Sequence, residues 1–445
     1  MSEKLQTSEP RAASAAAKPL RLGIAGLGTV GCGVIDLLGR NGDLLEQRTG
    51  RRLQVTAVSA RTRRRDRPVD IDAYAWRDNP LDLADPGDVD VVVELIGGAD
   101  GPALALARAA LGRGLPLVTA NKALIAHHGA ELAALAEQTG AALRFEAAVA
   151  GGIPIVKTMR EGLAANRIDS FHGILNGTAN FILSLMAETG AKFGDALAEA
   201  QARGYAEADP TFDIDGIDAA HKTAILTSLA FGTAPDMAHL PVEGIRRITD
   251  VDIAFARELG FRVKLLGIAR MTPDGLDQRV QACLIDADAM LAKVDGAFNA
   301  VEAHGDFVGS IAVTGLGAGA GPTASAVVAD VVELARGTGG STFSIPAADH
   351  APLPRIAPEQ RMGAFYVRLT VDDRPGVMAA IASAMRDEDV SVERLIQRAR
   401  EADRAAQLII TTHETSEARM SAVLDRFRAI DAIREDPCLL RIERF

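Results

Sequence analysis

The feature that most constrains the fold is a glycine-rich turn between a strand pattern and a helix pattern. Residues 20–24 place leucine or isoleucine at every second position, and residues 26–31 read Gly-Leu-Gly-Thr-Val-Gly. Apolar residues then recur at helical spacing over 30–38. Period two is typical of a strand and period 3.6 of a helix, and glycine permits the tight reversal between them. The sequence therefore predicts a strand, a turn and a helix at the start of a folded unit.

The same alternation continues to about residue 150. It predicts strands at 53–59, 90–96, 115–119 and 143–149, and helices at 102–112 and 123–138. The 90–96 segment is almost continuously apolar, as a strand buried on both faces requires. Alternating strands and helices predict a parallel, doubly wound sheet of Rossmann type, in the α/β class. We assign this unit to 20–150 and expect the 315–345 segment, in which glycines lead into an apolar helix, to complete it.

The pattern changes after residue 150. Helices predicted at 154–164, 178–189, 194–203 and 216–231 precede strands at 263–270 and 280–285, which indicates an α+β unit over 151–314. A proline-rich stretch, 346–362, is expected to be a linker. Residues 363–445 read strand, helix, strand, strand, helix, strand, a small βαββαβ sandwich. Residues 1–19 have no apolar core and are expected to be a disordered tail.

Composition narrows the functional classes. The net charge is -11 and aromatic residues make up 4%, which argues against nucleic acid as a partner because such proteins favour basic surfaces and stacking rings. No apolar run reaches the ~18 residues of a membrane helix, so no membrane partner is expected. The three cysteines lie far apart, which fits a reducing, cytoplasmic setting better than a disulfide framework or a zinc site.

The glycine turn and the residues after the second strand indicate a dinucleotide site. A helix N-terminus offers free N–H groups and a partial positive charge to a pyrophosphate. The alternative, a glycine turn that binds nothing, is disfavoured by the strand before it and the helix after it. NAD-selective sites carry an acid at the end of the second strand, whereas here Arg61 stands there with further arginines behind it. Arginine matches a 2′-phosphate, so NADP is favoured, with NAD and a merely solvated basic loop as alternatives.

The richest polar segment is 204–222, with five acids within twelve residues. Asp218 and Lys222 share one face of the helix predicted to begin near Gly216. Such a cluster offers carboxylates to a substrate amine and a proton donor to a carbonyl that accepts hydride. On spacing alone, a surface ion pair between Asp218 and Lys222 is the stronger interpretation, and His221 is interpreted as structural.

Two further places attract attention. Lys122 follows a predicted strand, and ligands of open parallel sheets lie at the carboxyl ends of strands, so it is placed to face a cofactor unless it is only a solvated loop residue. The nearly uncharged 146–153 stretch carries carbonyls that suit a hard monovalent cation. The alternative is a plain crossover between units.

Several motifs in this order carry a family resemblance: GLGTVG at 26–31, TANK at 119–122, EAAVAGGIPI at 146–155, GILNGTANFI at 173–182, GYAEADPTFDIDGIDAAHK at 204–222 and GAGAGPTASAVVAD at 317–330. On these motifs the chain resembles the homoserine dehydrogenases over nearly its whole length from residue 20. The 363–445 unit, with its Asp-Arg-Pro-Gly-Val turn at 373–377, resembles an ACT domain.

The resemblance implies a reversible NAD(P)-linked interconversion of L-aspartate 4-semialdehyde and L-homoserine, on the route to threonine and methionine. It implies that Lys222 donates the proton to the nascent alkoxide, that Lys122 assists beside the nicotinamide, and that Asp218 helps to order them. Glu207 would bind the substrate amino group. The other substrate positions would be Asp213, Asn176, Gly177 and Thr178, and the cofactor positions are Gly26, Leu27, Gly28, Thr29, Val30, Gly31, Arg61, Ile96 and Lys122.

The resemblance also implies a sodium ion, a regulator and an assembly. Sodium would be bound by backbone carbonyls at Glu146, Val149, Gly151 and Ile153. The 151–314 unit would be catalytic and would pair subunits, so a homodimer or homotetramer is expected. Threonine is the expected effector of the ACT unit, with a ligand-free assembly module as the alternative. Another amino-acid dehydrogenase or aldehyde reductase would not be expected to share the run from Glu207 to Lys222. A nucleotide-sensing scaffold built around the ACT-like unit is disfavoured because both lysines and the acidic cluster are intact.

Overall fold

A six-stranded parallel sheet forms the first layer of the computed structural model, which describes residues 17–400 and 405–445. Its strands lie in the order β3-β2-β1-β4-β5-β6. Their bounds are β1 Ala17–Ala25, β2 Arg51–Ser59, β3 Ala75–Trp76, β4 Val91–Glu94, β5 Leu117–Thr119 and β6 Leu143–Arg144. This is the doubly wound order of dinucleotide-binding sheets, and the predicted α/β class with its Rossmann-type unit is confirmed.

Helices cover this sheet: α1 Thr29–Arg40, α2 Gly42–Thr49, α3 Pro102–Gly112 and α4 Lys122–Thr139. A late helix, α11 Ala320–Ala335, packs against α1. The two helices approach closely because Gly33 has no side chain, and a Cβ there would lie 2.8 Å from the Ala320 carbonyl oxygen. Residues remote in sequence therefore complete the cover of the first sheet.

A ten-stranded sheet forms the second layer, in the order β11-β10-β7-β8-β9-β16-β12-β14-β13, with β15 beside β12. Its strands are β7 Ile168–Ile174, β8 Phe261–Thr272, β9 Gly275–Asp286, β10 Phe298–Gly305, β11 Gly309–Leu316, β12 Met362–Asp372, β13 Val392–Arg400, β14 Ala405–Thr412, β15 Thr415–Ser416 and β16 Cys438–Glu443. The accompanying helices are α5 Ile155–Lys157, α6 Gly177–Thr189, α7 Phe193–Ala202, α8 Thr211–Ile214, α9 Ile217–Phe231, α10 Asp250–Glu258, α12 Val377–Asp387 and α13 Glu417–Arg428.

The C-terminal βαββαβ unit does not form a sheet of its own, because its last strand, β16, pairs in parallel with β9 of the preceding unit. A buried ionic cluster crosses this seam. The Arg279 guanidinium contacts the carboxylates of Asp277 and Glu443, and Arg361 Nε lies 2.9 Å from Asp277 Oδ1. Backbone pairing and paired buried charges therefore join the two units.

Some strands of the structure differ from the prediction because polar or glycine residues interrupt the alternation of apolar residues that is typical of a strand. Strands β7, β10 and β11 were not predicted, and β7 contains Asp169, His172 and Gly173. The strand predicted at 143–149 ends at Arg144 and gives way to a 3₁₀ turn at Glu146–Ala148. The helix predicted at 154–164 is α5 followed by a π-helical turn, Thr158–Gly162.

The predicted tail needs one correction. β1 begins at Ala17 and pairs there with Arg51, so residues 17–19 belong to the sheet. Residues 1–16 of the predicted tail lie outside the described residues. Within the described ranges, no helix combines the length and the hydropathy that a bilayer crossing requires.

The buried cluster at the seam makes a prediction for stability. Arg279→Met should lower the free energy of unfolding by about 3 kcal/mol, because two buried carboxylates lose one of the two cations that they share and keep only Arg270 in common. Denaturant unfolding followed by circular dichroism measures it. The control is Arg398→Met, which removes an exposed contact to Glu258 across the same pair of units and should cost under about 1 kcal/mol. Equal losses in the two variants would contradict the role given to the buried cluster.

Candidate active site

The site begins where α9 leaves a glycine turn. Gly216 has a φ of 83°, a conformation that favours glycine, and directs the chain into the helix. Asp218 lies in the first turn and Lys222 one turn later, so both side chains lie on one helix face, which is buried. Lys222 Nζ donates hydrogen bonds to Asp218 Oδ2 at 2.7 Å and to the Leu175 carbonyl oxygen at 2.6 Å. The pair is therefore buried and is not the surface ion pair that spacing alone favoured.

A second lysine reaches the same carboxylate from another part of the chain. Lys122 is the first residue of α4, and its Nζ contacts Asp218 Oδ1. The Lys122 ammonium also lies 5.2 Å from the ring centroid of Phe212, a cation–π distance. One buried carboxylate thus brings together lysines that are a hundred positions apart in sequence.

Burial and charge act against each other on these groups. Burial alone would raise the pKa of Asp218, but the ammoniums of Lys222 and Lys122 outweigh it and hold that pKa below its usual range. Burial lowers the pKa of Lys222, and Asp218 only partly offsets that effect. Asp218 is therefore ionised, and Lys222 is a more acidic ammonium than a lysine in water.

Asn176 ties a third element into the cluster. Its Nδ2 donates to Asp218 Oδ2 at 2.9 Å and to Asp213 Oδ1 at 2.8 Å, while its Oδ1 accepts from the Ala179 N–H at the start of α6. Burial raises the pKa of Asp213. Gly177 permits close packing there, because a Cβ would lie 2.7 Å from the Ala297 carbonyl oxygen.

The remaining predicted substrate residues are Thr178, in the first turn of α6, and Glu207. Thr178 Oγ1 donates to the Tyr205 carbonyl oxygen at 2.7 Å, which fixes the 205–207 segment beside α6. Glu207 is exposed, and no side chain in the described ranges donates to its carboxylate. The Glu207 carboxylate is therefore available to a ligand.

Five of the nine predicted cofactor residues line a cavity of about 410 Å³ at the carboxyl ends of the first-sheet strands. Gly26, Leu27, Gly28, Arg61 and Ile96 line it. A Cβ on Gly28 would meet nothing within 4 Å, and no side chain caps α1, so the first-turn N–H groups are open to an anion. These residues fit a dinucleotide pyrophosphate.

Two further glycines of the motif allow the backbone of the turn to pack closely. Gly26, at φ 102°, and Gly31 lie where an added Cβ would overlap the backbone. Thr29 and Val30 do not line the cavity, and Val30 packs against the apolar core. Lys122 does not line it either, and its contacts are those with Asp218 and Phe212.

Glu94 is a site residue that the sequence analysis did not single out. It ends β4, is fully buried, and accepts hydrogen bonds from the Ile96 N–H at 2.6 Å and from Thr119 Oγ1 at 2.6 Å. Burial raises its pKa. Asn121 continues the link, because its Nδ2 donates to the Gly98 carbonyl oxygen at 2.7 Å. The signal was a charged residue within an otherwise apolar strand, since buried charges require partners.

The predicted cation segment packs against α11, where the Glu146 N–H donates to Asp330 Oδ2 at 2.8 Å. The Glu146 carboxylate accepts from the N–H groups of Val156 and Lys157, and burial, followed by Asp330, raises its pKa to about 7. The Glu146 and Ile153 carbonyls accept backbone hydrogen bonds from Val149 and Ile155.

The other two predicted cation ligands are unpaired. No residue in the described ranges donates to the Val149 or Gly151 carbonyl. Buried carbonyls without partners fit a monovalent cation.

Family models match three successive parts of the chain. The model for "Homoserine dehydrogenase" matches residues 154–332, that for "Homoserine dehydrogenase, NAD binding domain" matches 26–146, and that for "ACT domain" matches 365–432. These models cover most of the described chain.

Curated relatives match end to end. The chain is 44% identical to the homoserine dehydrogenase of Neisseria gonorrhoeae over 432 residues, which cover 96% of this chain and 99% of that protein. It is 44% identical to the homoserine dehydrogenase of Pseudomonas aeruginosa over 437 residues, with the same coverage.

Solved structures of homoserine dehydrogenases are also similar to this chain. A homoserine dehydrogenase from Thiobacillus denitrificans has a TM-score of 0.88 at 42% identity, and the match covers 96% of this chain and 98% of that one. A hyperthermophilic archaeal homoserine dehydrogenase in complex with NADPH has a TM-score of 0.62 at 26% identity. That match covers 73% of this chain and 99% of the other.

Proposed function

The chain belongs to the homoserine dehydrogenase family and is an NAD(P)-dependent oxidoreductase, and on that premise we propose that it interconverts L-aspartate 4-semialdehyde and L-homoserine at the site around Asp218. The observation that carries the proposal is the convergence of Lys122 and Lys222 on one buried carboxylate. Reduction of an aldehyde needs a proton donor at the oxygen as well as a hydride at the carbon, and a buried ammonium supplies that proton.

Each residue of the cluster then has a role. A dinucleotide bound along Gly28 supplies the hydride. Lys222 donates its proton to the oxygen during reduction and takes it back from the hydroxyl during oxidation, and its lowered pKa favours exchange in both directions. Asp218 holds Lys222 and Lys122 in place, and Asn176 holds Asp218.

The substrate amino group is assigned to the acidic rim of the site. Glu207, with its free carboxylate, binds the ammonium of the substrate. Asp213, which accepts a hydrogen bond from Asn176, helps to orient the substrate. Gly177 and Thr178 are assigned to the same substrate site because they follow Asn176 directly. An amino acid carrying an aldehyde or alcohol in its side chain is the substrate class that uses both carboxylates and lysines.

Lys222→Ala should lower turnover about 100-fold or more and leave dinucleotide binding nearly intact, because it removes a general acid and no cofactor contact. Homoserine-dependent NADP reduction and fluorescence titration with NADPH measure the two effects. The control is Lys264→Ala, another buried lysine, whose Nζ donates to the Val294 carbonyl oxygen away from Asp218. That variant should lose stability but keep turnover per folded molecule. Retained turnover in Lys222→Ala would remove this residue from the reaction.

We assign NADP as the preferred cofactor on the basis of charge. Arg61 lines the cavity, and no carboxylate or carbonyl in the described ranges pairs with its guanidinium. Arg61→Ala should raise the KM for NADP about tenfold and change the KM for NAD less than about twofold, because only NADP carries the 2′-phosphate. The matched control is Arg64→Ala, in the same loop but outside the cavity. Equal effects of Arg61→Ala on both cofactors would contradict the assignment.

Sodium is proposed as a bound ion of the segment around Glu146. The unpaired Val149 and Gly151 carbonyls are assigned to it together with those of Glu146 and Ile153. Replacing sodium by choline in the buffer should lower the thermal unfolding midpoint by a few degrees, because an ion that binds only the folded state stabilises it. An unchanged midpoint over a sodium titration would contradict the site.

Regulation by an amino acid is proposed for the ACT unit, with threonine as the effector and the route to threonine and methionine as the context. Millimolar threonine should reduce the initial rate of homoserine oxidation several-fold. Unchanged rates would contradict regulation by threonine and indicate that the ACT unit serves only in assembly.

A homodimer or homotetramer is proposed for the assembly. Both ends of the long sheet, β11 and β13, have one strand neighbour in the described chain, so each has an edge open to a second subunit. Light scattering on the purified protein tests this, and a monomeric mass would overturn it.

A further inference from the structure

The loop that follows β4, residues 95–98, lies against the glycine turn of the cofactor site. Leu95 and Ile96 line the dinucleotide cavity. A Cβ on Gly26 would overlap the Leu95 carbonyl, so the loop packs closely on the first glycine of the turn. The last two residues of the loop are glycines, each with a φ of 84°, a conformation that favours glycine. The position of this loop therefore sets one wall of the cavity.

The carboxylate of Glu94 holds this loop. Its Oε1 accepts hydrogen bonds from the N–H groups of Ile96 at 2.6 Å and Gly97 at 3.3 Å. Its Oε2 accepts a hydrogen bond from the Thr119 hydroxyl at 2.6 Å. The two oxygens of one carboxylate therefore bind the loop after β4 on one side and the end of β5 on the other.

The side that binds β5 continues to Lys122. Thr119 Oγ1 accepts a hydrogen bond from the Asn121 N–H at 2.9 Å. The Asn121 side chain donates to the Gly98 carbonyl oxygen at 2.7 Å, and its Oδ1 caps α4, whose first residue is Lys122. These hydrogen bonds close a ring that returns to the loop after β4.

Burial makes a carboxylate costly at this position. Glu94 is 0% exposed, and no lysine, arginine or histidine in the described ranges pairs with it. Only hydrogen bonds replace the water that this carboxylate loses, and burial raises its pKa. An apolar side chain at the end of this apolar strand would avoid that cost. The three donors that the carboxylate binds explain its presence better than the stability of the sheet does.

We propose that Glu94 is a positioning residue that fixes the 95–98 loop and Lys122 relative to each other, an inference that rests on the proposed function of the site. The fully buried carboxylate acts through its hydrogen-bond partners and not by contact with a ligand. It holds one wall of the dinucleotide cavity through the loop and the start of α4 through Thr119. Small shifts matter there, because hydride transfer requires the reacting atoms to lie about 3–3.5 Å apart.

Two substitutions remove the carboxylate from full-length protein. Glu94→Leu removes both acceptors and suits the apolar strand, whereas Glu94→Gln keeps the size but offers one acceptor oxygen to donors on two sides. Each should lower kcat/KM for NADP about tenfold or more, and Glu94→Leu should also weaken NADPH binding about tenfold, because the 95–98 loop is no longer held. Homoserine-dependent NADP reduction and fluorescence titration with NADPH measure these effects.

Substitutions of Thr119 test the link to Lys122. Thr119→Val removes the hydroxyl at nearly constant shape and should lower kcat about tenfold while NADPH binding changes less than about twofold. Thr119→Ser keeps the hydroxyl and should keep kcat near that of the unmodified protein. The control is Asp252→Asn, another fully buried carboxylate, which binds Arg368 outside both sites. That variant should lose stability but keep kcat and NADPH affinity.

The outcomes separate this inference from the proposed function. Unchanged kcat/KM and NADPH affinity in the Glu94 variants overturn the inference and leave the proposed function standing. A loss of kcat in Asp252→Asn as large as that in Glu94→Gln overturns it too, because the effect then follows from stability alone. Thr119→Ser that is as slow as Thr119→Val overturns the link to Lys122.

An unmodified protein that binds NADPH but does not oxidise homoserine contradicts the proposed function. In that case weakened NADPH binding by Glu94→Leu supports the position given to the 95–98 loop, and unchanged binding overturns the inference as well.

Discussion

The candidate active site depends on one buried carboxylate. Asp218 binds Lys122 from the first-sheet unit and Lys222 from its own helix, so one carboxylate contacts both ammoniums. Two cations this close repel each other, and burial penalises Lys222 as well, so a shared anion is the least costly arrangement. Asp218 is therefore both the electrostatic centre of the site and a link between two structural units.

The ends of strands and the starts of helices provide the frame around that carboxylate. Glu94 and Thr119 tie β4 to β5, Asn121 then caps α4, and Lys122 follows directly. On the other side Asn176 follows β7 and caps α6 while it holds Asp218 and Asp213. Each of these side chains satisfies a helix start or a neighbouring polar group, so Lys122 and Lys222 are held by groups whose own positions are fixed. This is the kind of support that a site needs to hold its geometry.

The C-terminal unit shares this rigidity because its sheet continues the catalytic sheet through β9 and β16. Tyr366 and Arg368 of β12 add a second connection, since both bind the buried carboxylate of Asp252 at the start of α10. Neither connection was visible in the βαββαβ pattern, which predicted the unit itself correctly. An ACT unit tied to the catalytic unit by strand pairing and buried ions can transmit the effect of an effector without a flexible linker.

The sequence by itself determined the elements whose signals are local. The glycine turn before α1, the apolar run of β4, the helix carrying Asp218 and Lys222 and the order of the C-terminal unit all follow from periodicity and glycine placement within a few residues. Tertiary structure decided the rest. The (i, i+4) spacing of Asp218 and Lys222 is the same on a solvent-facing helix as on a buried one, and only the packing of α9 against Leu175 and Lys122 made it a buried pair. Strands β7, β10 and β11 were likewise invisible, because their polar and glycine residues are stabilised by neighbouring strands distant in sequence. Local patterns fix backbone conformation, whereas burial and charge pairing depend on which distant segments meet.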